Sequence, residues 1–349
     1  MKKFFQKIYY WELWPFDIIY APLGVVWIYF ALKARAFWFF SPTNPTLLFG
    51  GFEVGRKKDM YDQLPLWSYP GTIYIKVGRD FNEVKAGLLE SGLTYPVVAK
   101  PEVGMQGVLF RVIENENELQ QYHRLVPVDY LIQAFIDLPM EFSVFHIRYP
   151  GQTKGKVTGF ILKDYLHVKG DGKKTLEELI LVHPKAMHRL HELKQKHSKQ
   201  WNVIIAKDEK YFLSKAGNHN RGARFINLRK EIDQRLCDVF DRISNEAGHF
   251  YFGRYDLKCT SIEELKEGKN LFLLEFNGAG AEPNHIYDCH MKYGTALKEI
   301  TMHWYHMYRI GKINNEKGVP YYGYWKGRRL LRNNNKDFKT LRKIDLSFI

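Results

Sequence analysis

Cysteine is scarce in this chain, with three among 349 residues. Cys237, Cys259 and Cys289 are odd in number, scattered and without the spacing of metal ligands. This pattern argues against a disulfide framework and favours a reduced compartment, so we expect a cytoplasmic protein. Internal repeats and low-complexity blocks are also missing, which argues against solenoids and repeat arrays.

A long apolar run is missing as well. The best candidate, residues 18–32, is uncharged but interrupted by Pro22 and Gly24, and it is shorter than the roughly 20 residues that a membrane-spanning helix needs. No signal-peptide cleavage site follows it. Two alternatives stay open: an interfacial helix lying on the inner face of the membrane, or a helix buried by packing or in a dimer.

Positive charge is in excess, with 52 Lys and Arg against 38 Asp and Glu and a formal net charge of +14. This balance favours anionic partners such as nucleotide phosphates, acidic lipids or nucleic acid. A nucleic-acid partner would rest on charge alone, because no known binding module is present, and we expect none. With 45% hydrophobic residues, the chain can bury a core and is globular.

Short apolar runs alternate with helical patterns from residue 44 onward, which predicts an α+β fold. We expect four segments. They are an apolar N-terminal helical segment (1–42), a short α/β lobe (43–94), a main domain (95–310) and a basic tail (311–349). The predicted strands are 46–49, 72–77, 95–100, 109–113, 130–135, 141–148, 155–163, 250–258 and 271–276, and the predicted helices are 57–63, 82–91, 116–124, 173–180 and 184–199.

The first chemical pattern is a lysine at a strand end followed by a glycine-containing loop. Lys100 ends the strand, and Gly104 and Gly107 lie in the loop of residues 102–107. Glycines let backbone N–H groups approach phosphate oxygens, and the lysine adds a point charge. An ordinary hairpin fits the same residues, and the spacing is not that of a Walker P-loop.

The second pattern is a pair of polar residues on each of two late strands. Residues two apart on a strand share a face, which joins Arg254 to Asp256 and Glu275 to Asn277. Asp256, Glu275 and Asn277 offer the hard oxygen ligands that magnesium prefers. The opposite face is predicted to carry the apolar residues Tyr255, Leu257, Leu274 and Phe276, so we favour a metal site over a solvated polar stripe.

The third pattern is the stretch from Gln133 to Glu141. Backbone groups around Phe135 are placed to pair with adenine, and Glu141 to accept ribose hydroxyls. A strand-capping Gln133 and a solvated Glu141 fit the local sequence equally well.

Together these segments, in this order, resemble the ATP-grasp superfamily over residues 96–288. The matching stretches include Pro96 to Pro101, Gly253 to Asp256 and Leu274 to Gly278. The closest motifs are those of D-alanine:D-alanine ligases and related carboxylate-amine ligases. Residues 168–180 also look like a segment of cyanophycin synthetase. The resemblance implies two α+β subdomains that clamp ATP.

The resemblance further implies a role for each site residue. Lys100 and the glycine loop would hold the ATP phosphates, helped by Lys163 or Lys169. Asp256, Glu275 and Asn277 would hold a pair of magnesium ions, with Mn²⁺ able to replace them, and Arg254 would stabilise the transferring phosphoryl group. The turn of residues 219–224 is a candidate for the substrate carboxylate, although a purely structural loop fits it as well.

The implied reaction joins a small-molecule carboxylate to an amine through an acyl phosphate. An ATP-grasp kinase and a non-catalytic, membrane-associated ATP-binding protein are the alternatives. The segment after Asn277, residues 279–285, does not copy the D-alanine ligase loop, so D-alanine is not carried over. Substrates and oligomeric state stay open. His188 and His191 share a helical face without a carboxylate or cysteine partner, so we expect no zinc.

Overall fold

A computed structural model describes residues 11, 14–104, 107–214, 217, 222–287 and 291–347. Two antiparallel sheets dominate this part of the chain. The strands are β1 (Thr72–Ile75), β2 (Val97–Pro101), β3 (Arg111–Ile113), β4 (Tyr130–Ala134), β5 (Met140–Ile147), β6 (Lys156–Asp164), β7 (His167–Lys169), β8 (Lys210–Phe212), β9 (Arg224–Asn227), β10 (Phe252–Cys259) and β11 (Leu271–Asn277).

Helices cover both sheets. They are α1 (Phe16–Ala34), α2 (Lys57–Tyr61), α3 (Phe81–Glu90), α4 (Glu116–Leu125), α5 (Leu176–Val182), α6 (Leu190–Lys196), α7 (Gln234–Glu246), α8 (Ile262–Glu267), α9 (Tyr293–Glu316) and α10 (Tyr324–Ser347). Their starts follow the capping residues: the Asp80 side chain accepts from the Asn82 N–H at the start of α3, and Thr175 forms a capping box with Glu178 at the start of α5.

The first sheet has the strand order β1-β4-β2-β3. One face packs with α3 and α4 around a buried core that includes Val84, Leu119 and Ile132. The C-terminal helix α10 joins this core through Leu341, which is 3% exposed. The basic 311–349 segment therefore contains a helix that docks on the first sheet. The predicted division into four segments itself remains a prediction.

The second sheet has the order β11-β10-β5-β6-β9. Its buried face packs on α7 through a core that includes Val144, Phe160, Phe240 and Tyr255. The alternation of strand residues leaves its other face to the residues singled out by the sequence patterns. A third, two-stranded sheet, β7-β8, packs with α5 and α6 around a separate hydrophobic cluster.

Three sequence-based expectations are wrong. The strand expected at 46–49 is instead a turn, because the backbone of Phe49 (φ 53°) and Gly50 (φ 67°) is left-handed. The single helix expected at 184–199 is broken into α6 and the flanking 3-10 turns Ala186–Arg189 and Ser198–Gln200. The third wrong expectation is that Leu274 lies on the apolar face of its strand.

A β-bulge in β11 moves Leu274 out of the predicted apolar face. The β10–β11 register runs from Asp256 opposite Glu275 to Leu257 opposite Leu273, so Leu274 is the extra residue. Leu273 is fully buried in its place. Alternation alone cannot predict such an insertion.

The N-terminal helix α1 lies against α9. Ile19, Leu23 and Phe30 are its buried residues. By length and composition it could cross a membrane. Of the cysteines, Cys237 and Cys259 are free thiols, and Cys289 lies outside the described residues.

Candidate functional site

Polar side chains cover one face of the second sheet across neighbouring strands. The strand registers place Glu275 opposite Asp256 and Asp256 opposite Ser143. Glu141 and Lys163 follow on the same face of β5 and β6 and are in direct contact. The same-face pairing predicted for Arg254 with Asp256 is therefore extended by residues from two further strands.

Asp256 is the centre of this face and is 6% exposed. Arg254 donates to both of its oxygens, each at 3.2 Å, and Lys163 Nζ lies 3.2 Å from Oδ1. Ser143 and Asn277 also donate to it. Burial alone would raise the pKa of Asp256, but Arg254 and Lys163 lower it to about 2. The carboxylate is ionised at neutral pH.

Lys163 links Asp256 to Glu141. Its Nζ donates to Glu141 Oε1 at 2.9 Å, and Tyr165 donates to the other oxygen of Glu141. Lys169, the alternative phosphate lysine, lies on β7, has a side chain that is 61% exposed and pairs with Asp208. The structure thus places Lys163, and not Lys169, among the site residues.

Lys100 comes from the first sheet and reaches the second. Its buried Nζ donates to Tyr61 Oη and Gln133 Oε1 at 3.0 Å, and to the Leu274 carbonyl at 3.2 Å. The bulge in β11 supplies that carbonyl. Burial lowers the pKa of Lys100 to about 8, although the negative charge of Glu275 acts to raise it.

Lys57 is a site cation that sequence reasoning missed. It begins α2, and its Nζ donates to the Gly104 carbonyl at 3.4 Å. Burial and the nearby positive charge of Lys100 lower the pKa of Lys57 to about 8. The negative charges of Glu275 and Glu102 act to raise it. Two lysines with lowered pKa values therefore lie near each other. Nothing in the local pattern of a short polar helix distinguishes Lys57 from its neighbour Lys58.

The predicted glycine loop lies beside these lysines. Gly104 contacts Lys57, Gly107 has a positive φ of 71°, and residues 105 and 106 lie outside the described residues. Glu102 begins the loop, is 5% exposed, and has one carboxylate oxygen with no hydrogen-bond partner among the described residues.

In the segment predicted to contact adenine, from Gln133 to Glu141, several groups already contact other residues of the protein. Gln133 is held between Lys100 and Thr72, to which its Nε2 donates at 2.8 Å, so it orients Lys100. Phe135 is half-buried with Lys258 Nζ 5.8 Å from its ring centroid. Lys258 also donates to the Ile136 carbonyl at 2.9 Å.

Gly217 covers the ribose candidate. A Cβ on this residue would lie 2.3 Å from Glu141 Oε1, so a larger residue here would have to displace that carboxylate. The candidate carboxylate turn, 219–224, lies partly outside the described residues, since only 222–224 are described.

Asp256, Glu275 and Asn277 carry the kind of oxygen atoms that bind magnesium. Asp256 is ionised, and the half-buried Glu275 lies opposite it in the β10–β11 pair. Magnesium in nucleotide sites is held by one or two carboxylates together with substrate phosphates. Among the described residues no group of three or more His, Cys, Asp or Glu side chains is placed to hold a metal, so the phosphates would have to complete the shell.

Two buried histidines were not singled out as a pair from sequence. His285 is 2% exposed, its ring nitrogens have no hydrogen-bond partner among the described residues, and Nε2 lies 3.6 Å from Glu299 Oε2. His303 Nε2 lies 2.9 Å from Thr158 Oγ1, and burial lowers its pKa to about 3. The His188 side chain lies outside the described residues.

Comparison with known proteins gives structural matches alone. No protein family and no curated protein matches the chain. Among solved structures it is similar to a bifunctional glutathione synthetase from Pasteurella multocida, with 15% identity, a TM-score of 0.39, and coverage of 70% of this chain and 34% of that one. It is also similar to the D-alanine–D-alanine ligase from Bacillus anthracis complexed with ATP, with 12% identity, a TM-score of 0.41, and coverage of 75% and 66%.

A third match is the ATP-grasp ligase PsnB complexed with a minimal precursor, with 13% identity, a TM-score of 0.35, and coverage of 68% and 55%. The chain spans about a third of the glutathione synthetase and 66% of the D-alanine–D-alanine ligase. Identities and TM-scores this low say nothing of substrate. The predicted α+β architecture is confirmed, with helices packed on two larger antiparallel sheets.

Proposed function

We propose that the region where Lys100 of the first sheet meets the polar face of the second sheet binds ATP with magnesium, and that the chain uses ATP to join a small-molecule carboxylate to an amine. One observation carries this proposal. An ionised carboxylate, Asp256, is held by Arg254 and Lys163 on one sheet, while the buried Lys100 reaches across from the other sheet to the Leu274 carbonyl.

The cations fit a polyphosphate. Lys100 and Lys57 have pKa values near 8 because burial disfavours their charged forms. An anion bound beside them would favour the charged forms again. Arg254 offers a planar fork for a phosphoryl oxygen once it exchanges Asp256 for the nucleotide. The order of the motifs along the chain supports the same assignment.

Asp256, Glu275 and Asn277 would hold the magnesium ions, and Mn²⁺ is expected to substitute. Bound magnesium would supply charge neutralisation between the phosphates. A cation at Asp256 has to compete with Arg254 and Lys163 for the carboxylate oxygens. Binding of the metal and release of these side chains towards the phosphates would therefore be coupled.

The proposed reaction has two displacements. A carboxylate oxygen of the substrate attacks the γ-phosphorus, and the bond to ADP breaks, which gives an acyl phosphate. The amine nitrogen then attacks the acyl carbon, phosphate leaves, and the nitrogen loses a proton. Arg254 and Lys100 would offset charge as it develops on the transferring phosphoryl oxygens.

Product analysis tests the proposal. Purified chain is incubated with ATP, magnesium and pools of amino acids and other carboxylates and amines, and ADP, free phosphate and new masses are measured. We expect ADP and phosphate in equal amounts with one amide product. A phosphoester without free phosphate would identify a kinase instead, and bound ATP without turnover in any pool would identify a binding protein.

A matched pair of variants links turnover to the site. Glu275→Gln removes the charge beside Asp256, and we expect it to reduce turnover at least about a hundredfold. Glu267→Gln removes an exposed carboxylate that pairs with Lys269, and we expect no change. Equal rates for the two variants would contradict the assignment.

A further inference from the structure

The helix α1 has two apolar faces, and among the residues that the structure describes only one of these faces is covered. Ile19, Leu23 and Phe30 are buried against the rest of the protein. Within the α-helical part of α1, Gly24–Ala34, the other face carries a stripe of exposed apolar side chains: Val25 (75% exposed), Ile28 (57%), Tyr29 (53%) and Leu32 (73%). Spacings of three and four residues place these four side chains on one side of the helix.

Contacts on the covered face hold α1 along the surface of the protein. The Trp27 ring lies 5.2 Å from that of Trp304 on α9, and Phe30 stacks on Tyr308 at 5.2 Å. Tyr20 donates to the Glu282 carboxylate at 2.5 Å. A helix that crossed a bilayer would have to give up these contacts, so the contacts favour a helix lying on a surface.

Cations over aromatic rings border the exposed stripe. Lys33 Nζ lies 5.6 Å from the centroid of the Tyr29 ring. On α9, Arg309 donates to Tyr305 Oη at 2.9 Å, and Tyr305 in turn lies 6.4 Å from Phe30. Aromatic rings and basic side chains beside an apolar face are the composition of interfacial membrane anchors.

The same composition continues where α10 begins. Phe37, just after α1, meets Tyr324 edge-on at 5.3 Å. Trp325 is 73% exposed, and Arg328 lies 5.8 Å from its ring centroid. The apolar stripe of α1 and its cationic border therefore extend to a second helix.

We propose that this surface, the exposed stripe of α1 with its aromatic and basic border, docks onto an anionic lipid bilayer without crossing it. Charge complementarity selects this occupant. In a symmetric dimer both copies would bring the same basic border to the interface, so Lys33 and Arg309 would add like charge from both sides, whereas anionic headgroups neutralise them. The proposal does not depend on the reaction that the chain catalyses.

Vesicle flotation of the full chain tests this proposal. The probes are vesicles of phosphatidylcholine alone and vesicles with phosphatidylglycerol added. We expect flotation with the anionic vesicles, binding at least about tenfold weaker to the neutral ones, and weaker binding at high salt. Absence from both vesicle fractions would overturn the proposal.

Matched variants assign the binding to the stripe. Val25→Glu with Leu32→Glu places two charges on it and should abolish flotation. Leu89→Glu, at a residue of α3 that is 83% exposed, should float like the parent chain. Equal loss in both would overturn the proposal, as would a dimer in light scattering that only the double variant dissociates. Circular dichroism and thermal melting check that each variant is folded.

Discussion

The ammonium group of Lys163 lies 3.2 Å from Oδ1 of Asp256 and joins two strands of the second sheet that are not neighbours. β6 carries the lysine, β10 carries the aspartate, and β5 runs between them. The same ammonium group donates to Glu141 on β5. One cation thus holds the proposed ribose and magnesium ligands in a fixed relation.

Replacing this cation should destabilise the fold. Lys163→Met leaves two buried carboxylates short of a partner, and breaking such a pair costs about 3 kcal/mol. We expect that loss in the free energy of unfolding, measured with urea. Lys169→Met removes only an exposed pair with Asp208 and should cost less than about 1 kcal/mol. Similar losses for the two would show that Lys163 is not buried as described.

Affinity for ATP should fall as the pH rises. Lys100 and Lys57 are charged below their pKa values of about 8 and lose their charge above them. Each lysine that must take up a proton to bind phosphate weakens binding by about tenfold per pH unit above its pKa. Titration calorimetry from pH 7 to pH 9, a window of about one unit on each side of these values, measures the effect.

Lys100→Arg supplies the control for this pH dependence. An arginine stays charged throughout the range, so the slope contributed by residue 100 should disappear even if binding weakens overall. An unchanged slope in this variant would assign the proton to Lys57 or to the nucleotide.

The bulge in β11 predicts unequal roles for adjacent leucines. Leu273 is fully buried, so Leu273→Ala should cost about 2–5 kcal/mol. Leu274 is the half-buried bulge residue, and Leu274→Ala should cost clearly less. Urea denaturation of both variants decides the order, and the reverse order would indicate the regular strand that alternation predicts.

Gly278 should tolerate no side chain. A Cβ there would lie 2.5 Å from the Gly50 carbonyl oxygen and 2.8 Å from Asn44 Nδ2, so backbone must move, at a typical cost of about 1–3 kcal/mol. Gly87 lies within α3 with nothing near its Cβ position. Gly87→Ala should instead stabilise by about 0.5–1 kcal/mol. Thermal melting compares them, and two stable variants would contradict the close packing.

The alternation of side chains between the two faces of a strand accounts for much of what could be predicted from the sequence. It placed Arg254 with Asp256 and Glu275 with Asn277, because residues two apart share a face whatever the tertiary structure. It also gave the α+β class and most strand positions. It failed at Leu274, because a bulge adds a residue without any local signal, and at residues 46–49, where left-handed backbone turns the chain.

Contacts between distant segments could not be predicted in the same way. Lys57 comes near Lys100 only through the tertiary packing of α2, whose Tyr61 contacts both Lys100 and the Leu274 carbonyl. The choice between Lys163 and Lys169 depends on where β6 ends, and the partners of Gln133 depend on the pairing of β1 with β4. Such relations need the register between strands, which one sequence does not contain.

The most direct test of the central claim is calorimetric binding of ATP to the purified chain with and without magnesium. We expect binding that depends on magnesium and weakens at least about tenfold in Asp256→Asn, a loss of about 1.4 kcal/mol or more. The exposed control Asp208→Asn should bind like the parent chain. Absence of ATP binding by the folded parent chain, or equal affinity in Asp256→Asn, would contradict the account.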